Sequence, residues 1–198
     1  MSTAGSVEVI RWAKAQGIDV TAEVTPHHLL LPTALLAGYD PVFKVNPPLR
    51  PDEDIAALRD ALTDGTIDAV ATDHAPHARH DKEHAFVDAA FGMLGLETAL
   101  SVVSEVMVGS GAMNWTDVAR VMSQNPARIA RLDSHGGTLA AGQAANITLV
   151  DPSKVVVVDR ATSASLSRNN PWHDRKLTGA VVATVLRGVP TVLDGSLV

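Results

Sequence analysis

Apolar residues recur at Val7, Ile10 and Ala13 with polar residues between them, the spacing of one helix face. Ser2 and Thr3 are suited to cap that helix and Gly17 is placed to end it. The period then changes to two. Ile18, Val20, Ala22 and Val24 alternate with Asp19, Thr21 and Glu23, which predicts a strand. Pro51-Asp52-Glu53-Asp54 is an acidic helix start that suits the positive end of a helix dipole, and Ile55, Leu58 and Leu62 continue it on one face. Asp68-Ala69-Val70-Ala71 is a short apolar run before a polar loop, as in a buried strand. A long apolar helix is predicted from about Met93 to Val108, and a helical pair between Trp115 and Arg131. Helices and strands that alternate in this way predict an α/β protein with a parallel sheet.

After Gly136-Gly137 the texture changes. Ile147–Val150, Val155–Val158, Val181–Leu186 and Thr191–Leu193 are short β-prone runs separated by Gly, Pro, Asp and Asn. The pattern divides the chain into an α/β part, residues 1–135, and an all-β appendage, residues 136–198.

Composition narrows the chemistry. With 46% hydrophobic and 19% charged residues the chain is expected to fold rather than remain disordered. It has no cysteine, so disulfides and thiolate chemistry are excluded and a metal would be held by His, Asp or Glu. The net charge of −6 argues against a nucleic-acid surface. No apolar stretch approaches the roughly 20 residues of a membrane span, and Met1–Ser6 lacks the marks of a signal peptide, so the cytoplasm is the expected compartment.

Five of the eight histidines fall in two loops: His27-His28 after the first predicted strand, and His74, His77 and His80 after the second. The sharpest local feature is Ala71-Thr72-Asp73-His74-Ala75-Pro76-His77. A carboxylate at the end of a buried strand points into the mouth of an α/β barrel, where it can ligate a metal and accept a proton from bound water. The alternative is that Asp73 only caps its own loop through backbone N–H groups. Neighbours on an extended segment face opposite sides, so His27-His28 reads as packing or hydrogen bonding rather than a ligand pair. Glu23 could face a barrel interior or water.

Several stretches together resemble the bacterial-type dihydroorotases of the amidohydrolase superfamily: Val20–Leu29, Lys44-Val45-Asn46-Pro47-Pro48-Leu49-Arg50, Ala71–His77 and Phe91–Thr98. Asn125–Arg128 and Gly142–Val150 add to the likeness. The pairing of Asn-Pro-Pro-Leu-Arg with Thr-Asp-His-Ala-Pro-His is the specific part. The resemblance implies the C-terminal portion of a (β/α)₈ barrel with a small β-sandwich appendage. It implies two zinc ions per active site, with Asp73 as both metal ligand and proton shuttle at the eighth strand. Asn46 and His77 match residues that hold substrate, and Phe91-Gly92 matches a backbone contact to the pyrimidine ring. Glu23 resembles a position that contacts an extra metal in some relatives, and His80 to Asp88 is implied to be a mobile loop near the site. The implied reaction interconverts N-carbamoyl-L-aspartate and dihydroorotate. The implied partners are that small molecule and, for the assembly, a second copy or aspartate carbamoyltransferase.

Departures stand beside the likeness. The family's His-x-His pair, its bridging Lys or Asp and two further ligand histidines belong to earlier strands, and the last of them would fall just before Ser2. A full barrel takes about 250 residues, so residues 1–135 are expected to supply only part of one. Asn146 stands where Asp is usual, and Asn170-Pro171-Trp172 where Phe usually follows the proline. Two alternatives follow. One is a hydantoinase, dihydropyrimidinase or allantoinase type of cyclic amidohydrolase. The other is a non-catalytic dihydroorotase-like partner of aspartate carbamoyltransferase.

Overall fold

A computed structural model describes residues 1–198 and resolves into two compact units: residues 1–99 with 157–175, and residues 100–156 with 176–198.

In the first unit, α1 (Ala4–Ala15) starts at Thr3, whose side chain accepts from the Ser6 amide, and ends at Gln16. Helix α2 (Asp52–Asp64) follows Pro51 and carries Asp52, Glu53 and Asp54 in its first turn, as the charge pattern predicts. Its buried face is Ile55, Leu58, Ala61 and Leu62. Two strands, β1 (Glu23–Val24) and β2 (Ala69–Val70), pair in parallel with Glu23 opposite Ala69 and Val24 opposite Val70. The first strand is much shorter than the predicted run from Ile18. The alternation holds only at its end: Ala22 and Val24 are buried while Thr21 and Glu23 are exposed, but Ile18, at the start of the predicted run, is exposed. Asp68 locks the pair, because its Oδ2 accepts from the Ala22 amide and the Lys14 ammonium, each at 2.8 Å.

Beyond β2 the chain makes a parallel bridge between His74 and Met93. Met93 is therefore held extended by an isolated bridge outside the two-stranded sheet, and the helix predicted from Met93 starts later, as α4 (Ala99–Val103), which runs into a π-helical turn at Ser104–Val108. The apolar run misled because a buried parallel segment and a buried helix look alike in composition. Helix α3 (Arg79–Lys82) is a single short turn.

In the second unit, α5 (Trp115–Ala119) opens with a capping box between Asn114 and Asp117. A π turn at Arg120–Gln124 leads into α6 (Asn125–Ile129). Strands β3 (Ile147–Val157), β4 (Lys176–Leu186), β5 (Val189–Leu193) and β6 (Ser196–Leu197) form a sheet in chain order, with β4–β5 and β5–β6 antiparallel. The runs at Ile147–Val150 and Val155–Val158, predicted separately, belong to one strand, β3, which ends at Val157. Gly179 permits close approach of β4 to the π turn: a Cβ there would lie 2.4 Å from Ser104 Oγ. Ser101 Oγ donates to the Gly179 carbonyl at 2.5 Å. No helix is long and apolar enough to cross a membrane.

Leu62 is fully buried on α2. Leu62→Ala should cost about 2–5 kcal/mol, the range for deleting a buried leucine side chain. Urea unfolding of the chain and variant would read this as a lowered midpoint, and a loss below about 1 kcal/mol would show that α2 is not a core helix.

Candidate active site

Because β1, β2 and the Met93 bridge run in parallel, the loops that follow them leave from the same edge of the sheet. Asp73 lies just beyond β2, exposed, with φ at +48°. That left-handed backbone is costly for a residue with a Cβ and is concentrated at functional turns. No loop amide donates to the Asp73 carboxylate, so the capping alternative has no hydrogen bond behind it. The neighbouring side chain anchors the turn instead. His74 Nδ1 accepts from the Gly95 amide at 3.1 Å and the Leu96 amide at 3.3 Å. An acceptor Nδ1 leaves the ring proton of neutral His74 on Nε2.

His77, Phe91 and Gly92 come together. His77 Nε2 lies 2.7 Å from the Phe91 carbonyl, which can only accept, so Nε2 carries the proton. Gly92 has φ at +129°, and a Cβ there would stand 2.5 Å from Ala75 Cβ and 3.0 Å from His77 Nε2. Only glycine fits. Its amide donates to the Lys44 carbonyl at 2.9 Å.

Asn169 ties this cluster together. Its buried Nδ2 donates to the carbonyls of Ala75 (2.8 Å) and Gly92 (3.2 Å), its Oδ1 receives a longer bond from the His77 amide, and its carbonyl accepts from the Leu94 amide. Ser167 Oγ donates to the His77 carbonyl. The segment carrying Asn169 is fixed in turn by Glu97, which accepts from Ser163 Oγ and from the Ala164 and Ser165 amides. Burial opposes ionisation of Glu97, but those hydrogen bonds outweigh it and hold its carboxyl below the usual range. The only signal for Asn169 was its place in an Asn-Asn-Pro-Trp turn sequence.

Asn46 is exposed and precedes a cis proline. The Pro47-Pro48 turn beside it is held by buried His28, whose Nε2 donates to the Pro47 and Pro48 carbonyls at 3.1 and 3.2 Å while Nδ1 accepts from Thr25 Oγ1. His27 is buried with an unpartnered Nε2, its ring 4.6 Å from that of His28. The pair therefore packs and positions. Glu23 is exposed on β1, where its carbonyl accepts from the Met1 ammonium, and no hydrogen bond or ion pair links its side chain to Asp73. The stretch from His80 to Asp88 is tied down at Lys82, which is buried and bonded to two backbone carbonyls.

Nowhere do three His, Asp or Glu side chains converge closely enough to hold a metal ion. A zinc centre needs three or four protein ligands, so the residues present do not by themselves fit one. Asp73 is a single free carboxylate.

Parallel strands with their following loops at one end are the arrangement of part of an α/β barrel. Residues 4–191 match the amidohydrolase family, and the chain belongs to that family. It is 58% identical over 197 residues to the dihydroorotase of Streptomyces coelicolor, covering 100% of this chain and 46% of that protein. To the dihydroorotase of Mycobacterium tuberculosis it is 57% identical over 196 residues, 99% of this chain and again 46% of the relative. The chain thus spans about half the length of these curated relatives. Among solved structures it superposes on an L-hydantoinase (dihydropyrimidinase) from Arthrobacter aurescens with a TM-score of 0.93 at 32% identity, covering 100% of this chain and 45% of that one. A D-hydantoinase from a Thermus species gives 0.89 at 24% identity, a likeness of fold. The architecture is accordingly a portion of a (β/α)₈ amidohydrolase barrel with an appended antiparallel sheet.

Burial, then the neighbouring His28 and the Met1 ammonium, push the His27 pKa from 6.5 down to about 3. The unfolded chain therefore binds a proton that the folded chain refuses between those values, and stability should fall as pH drops from about 6.5 toward 3. His27 contributes a slope of up to about 1.4 kcal/mol per pH unit in that window. His27→Phe should lose that part of the slope at pH 5–6 in urea titrations. An unchanged slope would mean that His27 is not buried as a neutral ring.

Proposed function

We propose that this chain carries the strand-end carboxylate and the substrate-holding loops of a dihydroorotase. That zinc-dependent enzyme reversibly cyclises N-carbamoyl-L-aspartate to dihydroorotate in pyrimidine synthesis. One observation carries the reading: 57–58% identity to proteins named dihydroorotase, against 32% to an L-hydantoinase of the same fold. A hydantoinase-type activity is the weaker alternative for the same reason. A non-catalytic dihydroorotase-like subunit is supported by the thin donor set around Asp73. The retained Asn46, Asp73 and His77 count against it, since such a subunit has no chemical need of them.

In the hydrolytic direction, water adds to the ring carbonyl carbon and gives its proton to Asp73. The carboxyl then returns that proton to the ring nitrogen as the C–N bond breaks. The carboxylate is suited to this because nothing inside the chain occupies it. Asn46 presents an exposed amide as a donor to the substrate carboxylate. His77 Nε2–H is committed to Phe91, so the ring can donate to a carboxylate only through Nδ1, as the imidazolium. The Phe91 carbonyl keeps one lone pair for a ring N–H, while the Gly92 amide is already spent on Lys44. Glu23 is the weakest of the site assignments.

Zinc is the metal proposed, two ions per active site, with Asp73 as the ligand from this chain and the others supplied by polypeptide outside these residues. The division at 135/136 is proposed as one of family origin, barrel portion against β-rich domain, and is distinct from the division by contacts. A cytoplasmic location is proposed, together with a small-molecule substrate and either a homodimer or association with aspartate carbamoyltransferase.

The test is a chimera in which this chain replaces the aligned residues of the Streptomyces coelicolor dihydroorotase. It should turn over dihydroorotate in preference to hydantoin, and preference for hydantoin would overturn the reading. In that chimera Asp73→Asn should lower kcat by about 10²–10⁴-fold with KM little changed. A kcat within about tenfold of the parent would remove Asp73 as the base.

His77→Ala separates recognition from chemistry. Losing a hydrogen bond to a charged group costs about 1.5–3 kcal/mol, so kcat/KM for dihydroorotate should drop roughly ten- to a hundredfold. Any turnover of hydantoin, which lacks the carboxylate, should fall much less. Equal losses on both substrates would reduce His77 to a prop for the Phe91–Gly92 peptide.

A further inference from the structure

Two lysines of the first unit are almost wholly buried, at 8% exposure for Lys44 and 5% for Lys82, and neither has a carboxylate in contact. Lysine is seldom buried without a paired charge, because removing an ammonium from water is expensive. Here backbone carbonyls take the place of the counter-ion. Lys82 Nζ donates to the Lys44 carbonyl at 3.0 Å and the Ala90 carbonyl at 2.9 Å. Lys44 Nζ donates to the Val87 carbonyl at 2.8 Å and lies 4.5 Å from the centre of the Phe91 ring and 5.7 Å from that of Phe86. The Asp81 carbonyl closes the same loop by accepting from the Ala90 amide.

The Lys44 carbonyl is the shared atom. It accepts from Lys82 and also from the Gly92 amide, and Gly92 stands against the His77 ring. A continuous path of contacts therefore runs from the Lys82 ammonium through the Lys44 carbonyl to the Phe91–Gly92 peptide and on to His77 Nε2.

We propose that Lys82 is a positioning residue: by tying the Lys44 and Ala90 carbonyls together, its ammonium sets the Phe91–Gly92 peptide, and through it the orientation of the His77 ring. The link to substrate rests on the function proposed above; the positioning itself does not.

The cost of this arrangement is visible in the lysine. Burial first, and then the Lys44 ammonium, lower the Lys82 pKa to about 8, against the opposing pull of Asp40. The charged groups of its own loop, Arg79, Asp81, Glu83 and Asp88, are exposed. The unfolded chain holds this proton to a higher pH than the folded chain does, so the folded state is penalised below about pH 8 and relieved as pH rises above it. An apolar side chain would avoid the penalty. What Lys82 alone provides is a charge-assisted pair of bonds to two carbonyls, and those bonds weaken when the amine loses its proton.

The experiment uses the 198-residue chain. Amide hydrogen exchange, expressed as protection relative to the free peptide, follows the Gly92 N–H, and ¹⁵N imidazole shifts follow His77. Lys82→Met should lower Gly92 protection at least tenfold and move the His77 ring away from its Nε2–H state, while the α2 amides of Leu58 and Leu62 stay protected. Lys82→Arg, which keeps the donors, should restore most of the Gly92 protection. In the parent chain, Gly92 protection should decline as pH rises through about 8, a step absent from Lys82→Met. The proposal is overturned if Lys82→Met leaves Gly92 protection within twofold. It is equally overturned if Gly92 and the α2 amides fall together and Lys82→Arg does not restore them, or if the pH step persists without the lysine. In the dihydroorotase chimera, Lys82→Met should raise KM for dihydroorotate several-fold with kcat little changed. A normal KM alongside loosened Gly92 would leave the positioning intact and count against the substrate role of His77.

Discussion

The carboxamide of Asn169 is the contact on which the candidate site depends. A primary amide can satisfy carbonyls and an N–H at once, and Asn169 does so for Ala75, Gly92 and the His77 amide while its own backbone carbonyl holds Leu94. The segment after β2 and the segment from Met93 share only an isolated bridge at His74 and Met93 to hold them. Without a buried polar side chain between them, the carbonyls of Ala75 and Gly92 would face each other with no donor. That is a cost of about 1–3 kcal/mol for each group left unsatisfied. Aspartate, the same size, would set a carboxylate oxygen against both carbonyls, so the site requires the amide and not merely the shape.

What was legible in the sequence follows from how local the cause is. The starts of α1 and α2 were readable, because caps and dipole charges act within a turn of where they stand: Thr3 for α1 and Pro51 with Asp52, Glu53 and Asp54 for α2. The alternation about Val24 was readable for the same reason. The start of the helix after Met93 was not, since Met93 is held by pairing with His74, a partner 19 positions earlier that leaves no local trace. Asp73 stood out because it lies in the Thr-Asp-His-Ala-Pro-His stretch, directly after a short apolar run. Asn169 and Lys82 did not: their partners are carbonyls, present at every residue, so nothing in the sequence marks which ones they reach.

Fold and chemistry part company in this chain. Its backbone superposes on an L-hydantoinase with a TM-score of 0.93, yet only 32% of the residues agree. A scaffold that close cannot choose between a hydantoin and a dihydropyrimidine carrying a carboxylate, because it places strand-end loops in either case. On the function proposed above, that choice falls to groups on the loops: the exposed amide of Asn46, the ring of His77, and the peptide between Phe91 and Gly92. Of these, Gly92 and His77 are fixed from behind, through the positive φ of Gly92 and the carbonyl network around it.

The electrostatics of the first unit point the same way. Its buried bases, His27, His28, Lys44 and Lys82, have no carboxylate in contact; three of them bond to backbone carbonyls or a hydroxyl, and His27 Nε2 to nothing. Pairing any of them with an acid would be the ordinary way to lower the cost of burial. An acid placed there would also compete for the donors and, on the function proposed above, would add negative charge beside a site for a carboxylate substrate. Neutral carbonyls satisfy the donors without that charge. Asp73 is thereby left as an exposed carboxylate just beyond β2, unpaired with any of these bases. The same choice accounts for the depressed pKa values of His27, His28 and Lys82, since burial without a counter-ion is the largest cause in each.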